Sequence, residues 1–334
     1  MSGDGVGKAV EVLRAGGLVA FPTETVYGLG ADATNAAAVA KIYAVKGRPP
    51  TNPLIVHVAD ADVARRYAAE WPTAASQLAA AFWPGPLTLV VPRTAEIVRG
   101  VTSGGETVGL RVPAHPVALR LLREFGGPVA APSANRSNRI SPTTAGHVRD
   151  ELGDSVDVIL DGGPCGVGIE STVLDLAARW PTVLRPGAVT REQIEAVIGE
   201  AVSDAAGFPP DHSVARSPGQ QPLHYAPRSV ALRFPEGRMR ESLAALRRSK
   251  PEGTWVGVIC RNDFGWGGYP LVVMPRDARE YAQRFYAALR TVDEVLAAPD
   301  GPKREPGIIL VEMPPDGPEW VAVRDRILRA TTPL

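Results

Sequence analysis

The sequence predicts an α/β protein of two domains, and three observations support this prediction. Short apolar runs alternate with segments of helical periodicity over residues 1–200. A stretch rich in proline and glycine, residues 201–228, then interrupts the pattern, and alternating strand and helix patterns return after it. The length of 334 residues also exceeds the roughly 250 to 300 residues at which single cores commonly stop growing.

The first domain, residues 1–200, is predicted to be a mixed, twisted sheet with helices. Its predicted elements are, in chain order, a helix over Val6–Leu13, a strand over Leu18–Phe21, a helix capped by Asn35 and ending near Lys46, a strand over Leu54–Val58, a helix over Ala61–Phe82 broken at Pro72, strands over Leu87–Val91 and Val108–Val112, a helix over Pro116–Glu124, a strand over Val129–Ala131, a helix over Pro142–Glu151, a strand over Val156–Leu160, a hairpin of Thr172–Leu176 and Val183–Arg185, and a helix over Arg191–Ile198. Because helices link some strands and turns link others, a mixed sheet is favoured over a parallel one.

The second domain, residues 229–334, is predicted to be a smaller parallel α/β unit. Its strands are expected at Val230–Phe234, Thr254–Cys260 and Ile308–Glu312, and its helices at Arg238–Arg248, Arg279–Leu296 and Glu319–Arg329. Strands joined by helical crossovers are typical of a parallel sheet. The intervening residues 201–228 are too long for an ordinary connection, which favours a linker or a lid.

Composition excludes several classes of protein. Lysine plus arginine equals aspartate plus glutamate at 36 each, whereas a dedicated nucleic-acid binder is usually basic. Cys165 and Cys260 form neither a disulfide framework nor a set with metal-ligand spacing. The amino terminus does not resemble a secretion signal, and no apolar run approaches the roughly 18 residues of a membrane span. We therefore expect a soluble cytoplasmic protein.

Two polar clusters lie in the first 60 residues. In Phe21–Asp32 a buried strand leads to threonines, Glu24 and Tyr27, and Gly28 and Gly30 suggest a tight turn, so the segment is either a capped loop or a site. Lys46 and Arg48 lie at a helix end before three prolines. Such cations suit nucleotide phosphates, but they also stabilise a helix carboxyl terminus, and the sequence leaves both readings open.

Two further clusters lie between residues 128 and 175. Pro128–Thr144 carries serines, asparagines and arginines before Pro142, which predicts an anion cradle; Ser141 could equally cap a helix that begins at Pro142, and the two roles are compatible. Asp161–Asp175 is rich in glycine, which allows close approach to a ligand but is also typical of a surface loop. No catalytic triad or metal-ligand spacing is persuasive.

Together these motifs resemble the YrdC family in its long, two-domain form, the threonylcarbamoyl-AMP synthases. The similar segments follow the family's order and cover essentially the whole chain: Phe21–Leu29, Lys46–Pro49, Asn52–Leu54, Pro84–Thr88, Arg111–Pro113, Pro132–Asn135, Ser141–Thr144, Gly168–Thr172, Arg185–Gly187, Ser217–Gly219, His224–Pro227 and Asp325–Ala330. The resemblance implies a YrdC-like first domain and a Rossmann-like second domain. One departure is Asn138, where the family usually has glycine; asparagine tolerates a left-handed backbone better than most residues.

The resemblance also implies an activity. ATP, L-threonine and bicarbonate would give L-threonylcarbamoyladenylate and pyrophosphate, with Mg²⁺ accompanying ATP. This is the first step of N6-threonylcarbamoyladenosine formation in tRNA, and the product would pass to the tRNA threonylcarbamoyltransferase machinery. Neither stable nucleic-acid binding nor membrane association is expected.

The family's functional residues carry over by position, and the resemblance implies no resident metal. The implied ATP-binding residues are Lys46, Arg48, Asn52, Thr107, Ser133, Ser141, Arg185 and Tyr225. The implied threonine-binding residues are Thr25, His57, Arg111, Ala131 through its backbone, and Ser171. Lys46 and Arg48 would be catalytic by neutralising phosphate charge, and Arg111 would pair with the substrate carboxylate. Tyr225 would make the linker a lid that excludes water.

Three alternatives remain at this point. An RNA-binding module without catalysis would show strong salt dependence and no threonine-dependent turnover. An enzyme forming carbamoyl-adenylate from carbamoyl phosphate would share the first domain, although the segment Ser217–Pro227 favours the threonine enzyme. An inactive paralogue is the third.

Overall fold

The computed structural model describes residues 4–204, 225–249, 254–263, 265, 270–297 and 307–334, which form two compact units. Of these residues, 4–137 and 141–204 belong to the first unit, and 138–140 and 225–334 to the second. The helices are α1 (Asp4–Arg14), α2 (Ala36–Lys46), α3 (Ala61–Arg66), α4 (Thr73–Phe82), α5 (Pro116–Phe125), α6 (Ala145–Leu152), α7 (Arg191–Ile198), α8 (Met239–Ser249), α9 (Ala278–Ala297) and α10 (Val321–Ala330). The strands are β1 (Val19–Phe21), β2 (Gly28–Asp32), β3 (Ile55–His57), β4 (Leu87–Pro92), β5 (Thr107–Arg111), β6 (Val129–Ala130), β7 (Val158–Ile159), β8 (Thr172–Asp175), β9 (Thr182–Arg185), β10 (Ser203–Asp204), β11 (Val230–Phe234), β12 (Val256–Cys260), β13 (Leu271–Val273), β14 (Ile308–Glu312) and β15 (Thr332–Pro333).

The first unit is built on a ten-stranded mixed sheet, which confirms the predicted fold class. Its strand order is β10-β9-β8-β4-β5-β3-β6-β2-β1-β7. Parallel pairs such as β3 with β5 alternate with antiparallel pairs such as β4 with β5 and β8 with β9. The last of these is the hairpin predicted between residues 172 and 185.

Apolar side chains from helices and strands form the core of this unit. One cluster joins α1 and α5 to the sheet through Val10, Leu13, Leu121 and Val129, all of them buried. A larger cluster contains Ile42 of α2 together with strand residues from β2, β3 and β5. Each such side chain contributes about 1.5–3 kcal/mol on burial, and this packing gives the sheet a rigid frame.

The local sequence around helix α2 sets the positions of Lys46 and Arg48. The side chain of Asn35 accepts hydrogen bonds from the backbone N–H groups of Ala37 and Ala38, as predicted for its cap. Gly47 ends the helix in the left-handed conformation, with φ of 59°. Lys46 is therefore the last helical residue, and Arg48 directly follows the left-handed Gly47.

Two local predictions are wrong. Gly28 and Gly30 do not form a turn but belong to β2, where a Cβ on Gly30 would lie 2.8 Å from side-chain carbons of Phe21 and Val129. Pro142 does not begin a helix, because α6 begins at Ala145 with Thr144 as its cap. Ser141 is therefore not a helix cap. The expectation for Asn138 is confirmed, since its φ is 65°.

The second unit has a five-stranded parallel sheet, as predicted, in the order β13-β12-β14-β11-β15. Leu243 and Leu246 of α8 pack with Phe234, Val258 and Leu310 of the sheet. Residues 138–140 belong to this unit: Ala226 N donates to Asn138 O at 2.8 Å, and Arg290 donates to Ile140 O. Most of the predicted linker, residues 205–224, lies outside the described residues, so its role as a lid stays a prediction.

Candidate functional site

The neighbouring parallel strands β3 and β5 carry predicted site residues at both of their ends. His57 is the register partner of Arg111, and Ile55 is the partner of Gly109. Thr107 begins β5, four residues before Arg111, and Asn52 lies three residues before β3. At about 3.3 Å per residue, the two ends of β5 are about 13 Å apart. His57 and Arg111, two of the predicted threonine-binding residues, therefore lie at the carboxyl ends of these strands, and Asn52 and Thr107, two of the predicted ATP-binding residues, lie at the amino ends.

Arg111 is a buried cation at the carboxyl end of β5 and is held by several hydrogen bonds. Its Nη2 donates to Glu24 Oε1 at 2.6 Å and to Thr25 Oγ1 at 3.0 Å, and its Nε donates to Gly85 O at 3.2 Å. The side chain is buried, and so is Thr25. Because a buried charge must be paired and hydrogen-bonded to be tolerated, these contacts fix the guanidinium in one orientation.

His57 is a neutral, buried histidine beside this cation. Burial and the positive charge of Arg111 hold its pKa well below the usual value. Its ring meets the ring of Phe21 edge-on, with centroids 6.0 Å apart, and Nδ1 has no hydrogen-bond partner. A buried polar atom without a partner indicates a place where a ligand can supply one.

Ser171 joins this region to Arg185. Its hydroxyl lies 2.8 Å from Thr88 Oγ1 and accepts from Arg185 Nη2 at 3.2 Å, while its carbonyl accepts from Arg185 Nε at 3.1 Å. Thr88 faces the Arg111 end of β5 in the antiparallel pairing of β4 with β5. Residues assigned by resemblance to threonine and to ATP are therefore in direct contact here.

Lys46 is buried and directed at backbone oxygens. Its Nζ donates to Ser133 O at 2.6 Å and to Asn135 O, and its own carbonyl accepts from Ser137 N at 2.8 Å. Burial and the nearby charge of Arg48 lower its pKa well below that of a free lysine. In this structure Lys46 thus shapes the loop after β6.

Arg48 and Asn52 lie near the amino end of β3 and supply a cation and an amide there. Arg48 Nε donates to Asn52 O at 2.9 Å and Nη2 donates to Pro53 O at 2.8 Å. The side chain of Asn52 is only 3% exposed, yet neither its Oδ1 nor its Nδ2 has a hydrogen-bond partner. Both polar atoms of this buried amide are therefore available to hydrogen-bond a ligand. Thr107 is half-buried at the start of β5.

Three further predicted residues, Ala131, Ser133 and Ser141, are held by contacts within the first unit. Ala131 N donates to Ile55 O at 2.8 Å, which places the backbone of Ala131 against Ile55 at the amino end of β3, and Ser133 pairs with Gly28. Ser141 is fully buried and donates to Glu170 Oε1 at 2.5 Å.

Tyr225 belongs to the second unit. Its ring is buried, with Tyr286 at 5.6 Å between centroids and the Arg326 guanidinium at 5.4 Å from its centroid. Its φ of 64° is left-handed, a strained conformation for tyrosine. Its assignment to ATP stays a prediction.

The sequence assigned no role to Glu24, Thr88 or Glu170, although each lies inside a quoted motif. Glu24 and Thr88 contact Arg111 and Ser171, and Glu170 contacts Ser141. A buried position next to charged neighbours was the missing signal, and only the tertiary structure supplies it. Within the described ranges, no group of three or more His, Cys, Asp and Glu residues could hold a metal ion.

The arrangement suits binding and orientation rather than covalent catalysis. The two ends of β3 and β5 present neutral and cationic donors, with backbone groups between them. Cys165 is a poor nucleophile, since burial, with the nearby Glu24 charge, raises the pKa of its thiol to about 12. The described helices include none that is both long and apolar enough to cross a bilayer.

Comparisons with known proteins identify the family of the chain. Residues 11–187 match the Sua5/YciO/YrdC family model, described as telomere recombination, and residues 189–332 match the model of the threonylcarbamoyl-AMP synthase carboxyl-terminal domain. The chain is 41% identical over 331 residues to the threonylcarbamoyl-AMP synthase of Bacillus subtilis, which covers 97% of this chain and 92% of that protein. It is 42% identical over 291 residues to the Pyrococcus abyssi protein of the same name, which covers 85% of this chain and 84% of that one.

A solved structure is similar over both units. The crystal structure of Pyrococcus abyssi Sua5 complexed with L-threonine matches with a TM-score of 0.88 and 38% sequence identity, covering 98% of this chain and 95% of that one. Sequence motifs, fold and comparisons thus lead to the same assignment, and the chain belongs to the Sua5/YciO/YrdC family.

Proposed function

We propose that this chain makes L-threonylcarbamoyladenylate from L-threonine, bicarbonate and ATP and releases pyrophosphate. The observation that carries the proposal is the pair of buried polar groups at opposite ends of β3 and β5. One is built around Arg111 and His57, and the other around Arg48 and Asn52. The names of the relatives and the threonine complex of the P. abyssi structure support the same reaction.

The polar group around Arg111 and His57, at the carboxyl ends of β3 and β5, fits an amino acid that carries a hydroxyl. Arg111 is a fixed cation for the carboxylate, and the neutral His57 and Ser171 can hydrogen-bond a hydroxyl or amine. The threonine amine takes up bicarbonate as a carbamate and releases water. A carbamate oxygen then attacks the α-phosphorus of ATP, and pyrophosphate leaves.

The protein's part in this reaction is positioning and charge neutralisation. Arg48 lies beside the unpartnered amide of Asn52, which suits a nucleotide with its phosphates. Mg²⁺ enters as part of the ATP substrate, since magnesium is commonly bound through substrate phosphates rather than a protein cage. We further propose that the product passes to the tRNA threonylcarbamoyltransferase machinery for N6-threonylcarbamoyladenosine formation.

The test is pyrophosphate release by the full chain with ATP and Mg²⁺. We expect release only when threonine and bicarbonate are both present. Arg48→Ala should lower the rate at least 100-fold, because it removes a buried cation that neutralises phosphate charge. Arg66→Ala is the matched control, since Arg66 is an exposed arginine of α3. Absence of threonine-dependent release from folded wild-type protein would refute the proposal. Release with carbamoyl phosphate in place of threonine would identify a carbamoyl-adenylate enzyme.

A further inference from the structure

We propose that Glu24 is a positioning residue of the amino-acid site. It holds Arg111 so that the Nη1 side of the guanidinium is left for the substrate carboxylate. This inference rests on the proposed function, because it concerns the site of that substrate. It adds a residue that the motif assignments left without a role.

The hydrogen-bond inventory of Arg111 supports this division. An arginine has five N–H donors, one on Nε and two on each Nη. Nε is used by Gly85 O, and the two donors of Nη2 match Glu24 Oε1 and Thr25 Oγ1. Among the contacts of the described residues, none involves Nη1. The substrate carboxylate therefore meets one edge of a guanidinium whose other edge is occupied.

Glu24 is itself anchored at three points. Its Oε2 accepts from Ala114 N at 2.9 Å, and its backbone carbonyl accepts from Val167 N at 2.7 Å. The third anchor is Arg111, and the Glu24 side chain is 14% exposed in this ion pair. A carboxylate held by a backbone N–H on one oxygen and a buried cation on the other is a clamp, not a freely rotating side chain.

An opposite role makes an opposite prediction. If Glu24 occupied the place of the substrate carboxylate, the substrate would have to displace it, and removing its charge would tighten threonine binding. If Glu24 is a clamp, removing its charge loosens Arg111 and weakens threonine binding. The direction of the change in threonine affinity therefore decides between the two roles.

The experiment compares Glu24→Gln with wild type in the full chain. Glutamine keeps the length of the side chain but loses the charge, and it cannot accept at both positions. We expect the KM for threonine to rise about 10- to 100-fold, the range for losing one hydrogen bond to a charged group. The KM for ATP should stay within about twofold. Glu124→Gln, which neutralises the carboxylate of a surface ion pair with Arg120, should change neither.

Calorimetric titration without ATP separates this inference from the proposed function. Wild-type protein should bind L-threonine more tightly than L-threoninol, which lacks the carboxylate, and Glu24→Gln should lose that preference while binding threoninol unchanged. Glu24→Asp, which keeps the charge on a shorter side chain, should recover part of the preference and also serves if Glu24→Gln does not fold. Equal or tighter threonine binding by the folded variant overturns the clamp. Failure of wild type to bind threonine at all would instead refute the proposed function.

Discussion

Asn52→Ala should stabilise the ligand-free protein while weakening ATP binding. The amide of Asn52 is buried and both of its polar atoms lack partners. An unsatisfied buried polar group costs about 1–3 kcal/mol, and removing the amide relieves this cost. The cavity left behind, about the 30 Å³ of one water molecule, costs about 0.7 kcal/mol in return. We therefore expect the unfolding free energy of the first unit to rise by about 0.3–2.3 kcal/mol.

The same substitution should reduce the stabilisation that ATP provides. Losing one or two hydrogen bonds to the nucleotide weakens binding about tenfold, so at one ATP concentration the variant gains about 1.4 kcal/mol less than wild type. Native-state hydrogen exchange of β3 and β5 amides, with and without Mg²⁺-ATP, measures both effects on the first unit alone. Thr102→Ala is the control and should lower the unfolding free energy instead of raising it. The buried hydroxyl of Thr102 donates to Gly105 O at 2.7 Å, and the substitution removes this hydrogen bond. A destabilised Asn52→Ala protein, or one that ATP stabilises as much as wild type, would contradict the reasoning.

Two further predictions concern titratable groups. The pKa of His57 is lower in the folded than in the unfolded protein, so below pH about 6.5 the unfolded chain binds a proton that the folded chain does not. Stability should fall by up to about 1.4 kcal/mol per pH unit from there down to the folded pKa, and urea titrations of His57→Gln should lack this slope. The Cys165 thiol, with its pKa raised to about 12, should react with iodoacetamide at pH 8 at least 1000-fold more slowly in folded than in unfolded protein. Rapid alkylation of folded protein, mapped by mass spectrometry, would show that the thiol is accessible and ionisable.

Elements with clear local signals could be predicted from the sequence. The Asn35 cap and the Gly47 stop gave α2 its bounds, and the apolar run Ile308–Glu312 is β14 as predicted. Strand β2 was missed because Gly28–Asp32 lacks the β-branched residues that indicate strands. Its glycines are needed where neighbouring side chains leave no room for a Cβ, and only the packed sheet shows this.

The residues of the candidate site were easier to predict from the sequence than the contacts between them. The motifs identified Arg111 and Thr25, but their contact joins residues 86 positions apart in the chain. Strand register brings such residues together, and a single sequence does not state which strands pair. Ser141 illustrates the consequence: its position before Pro142 allowed a helix cap as well as an anion cradle, whereas the folded chain directs its hydroxyl to Glu170.

Because the two polar groups lie at opposite ends of β3 and β5, the paired strands fix the distance between them. Backbone hydrogen bonds between strands, rather than flexible loops, keep the Arg111 group and the Asn52 group at a constant separation. On the proposed function, a family built on this sheet could therefore change the amine that becomes the carbamate nucleophile and retain its nucleotide.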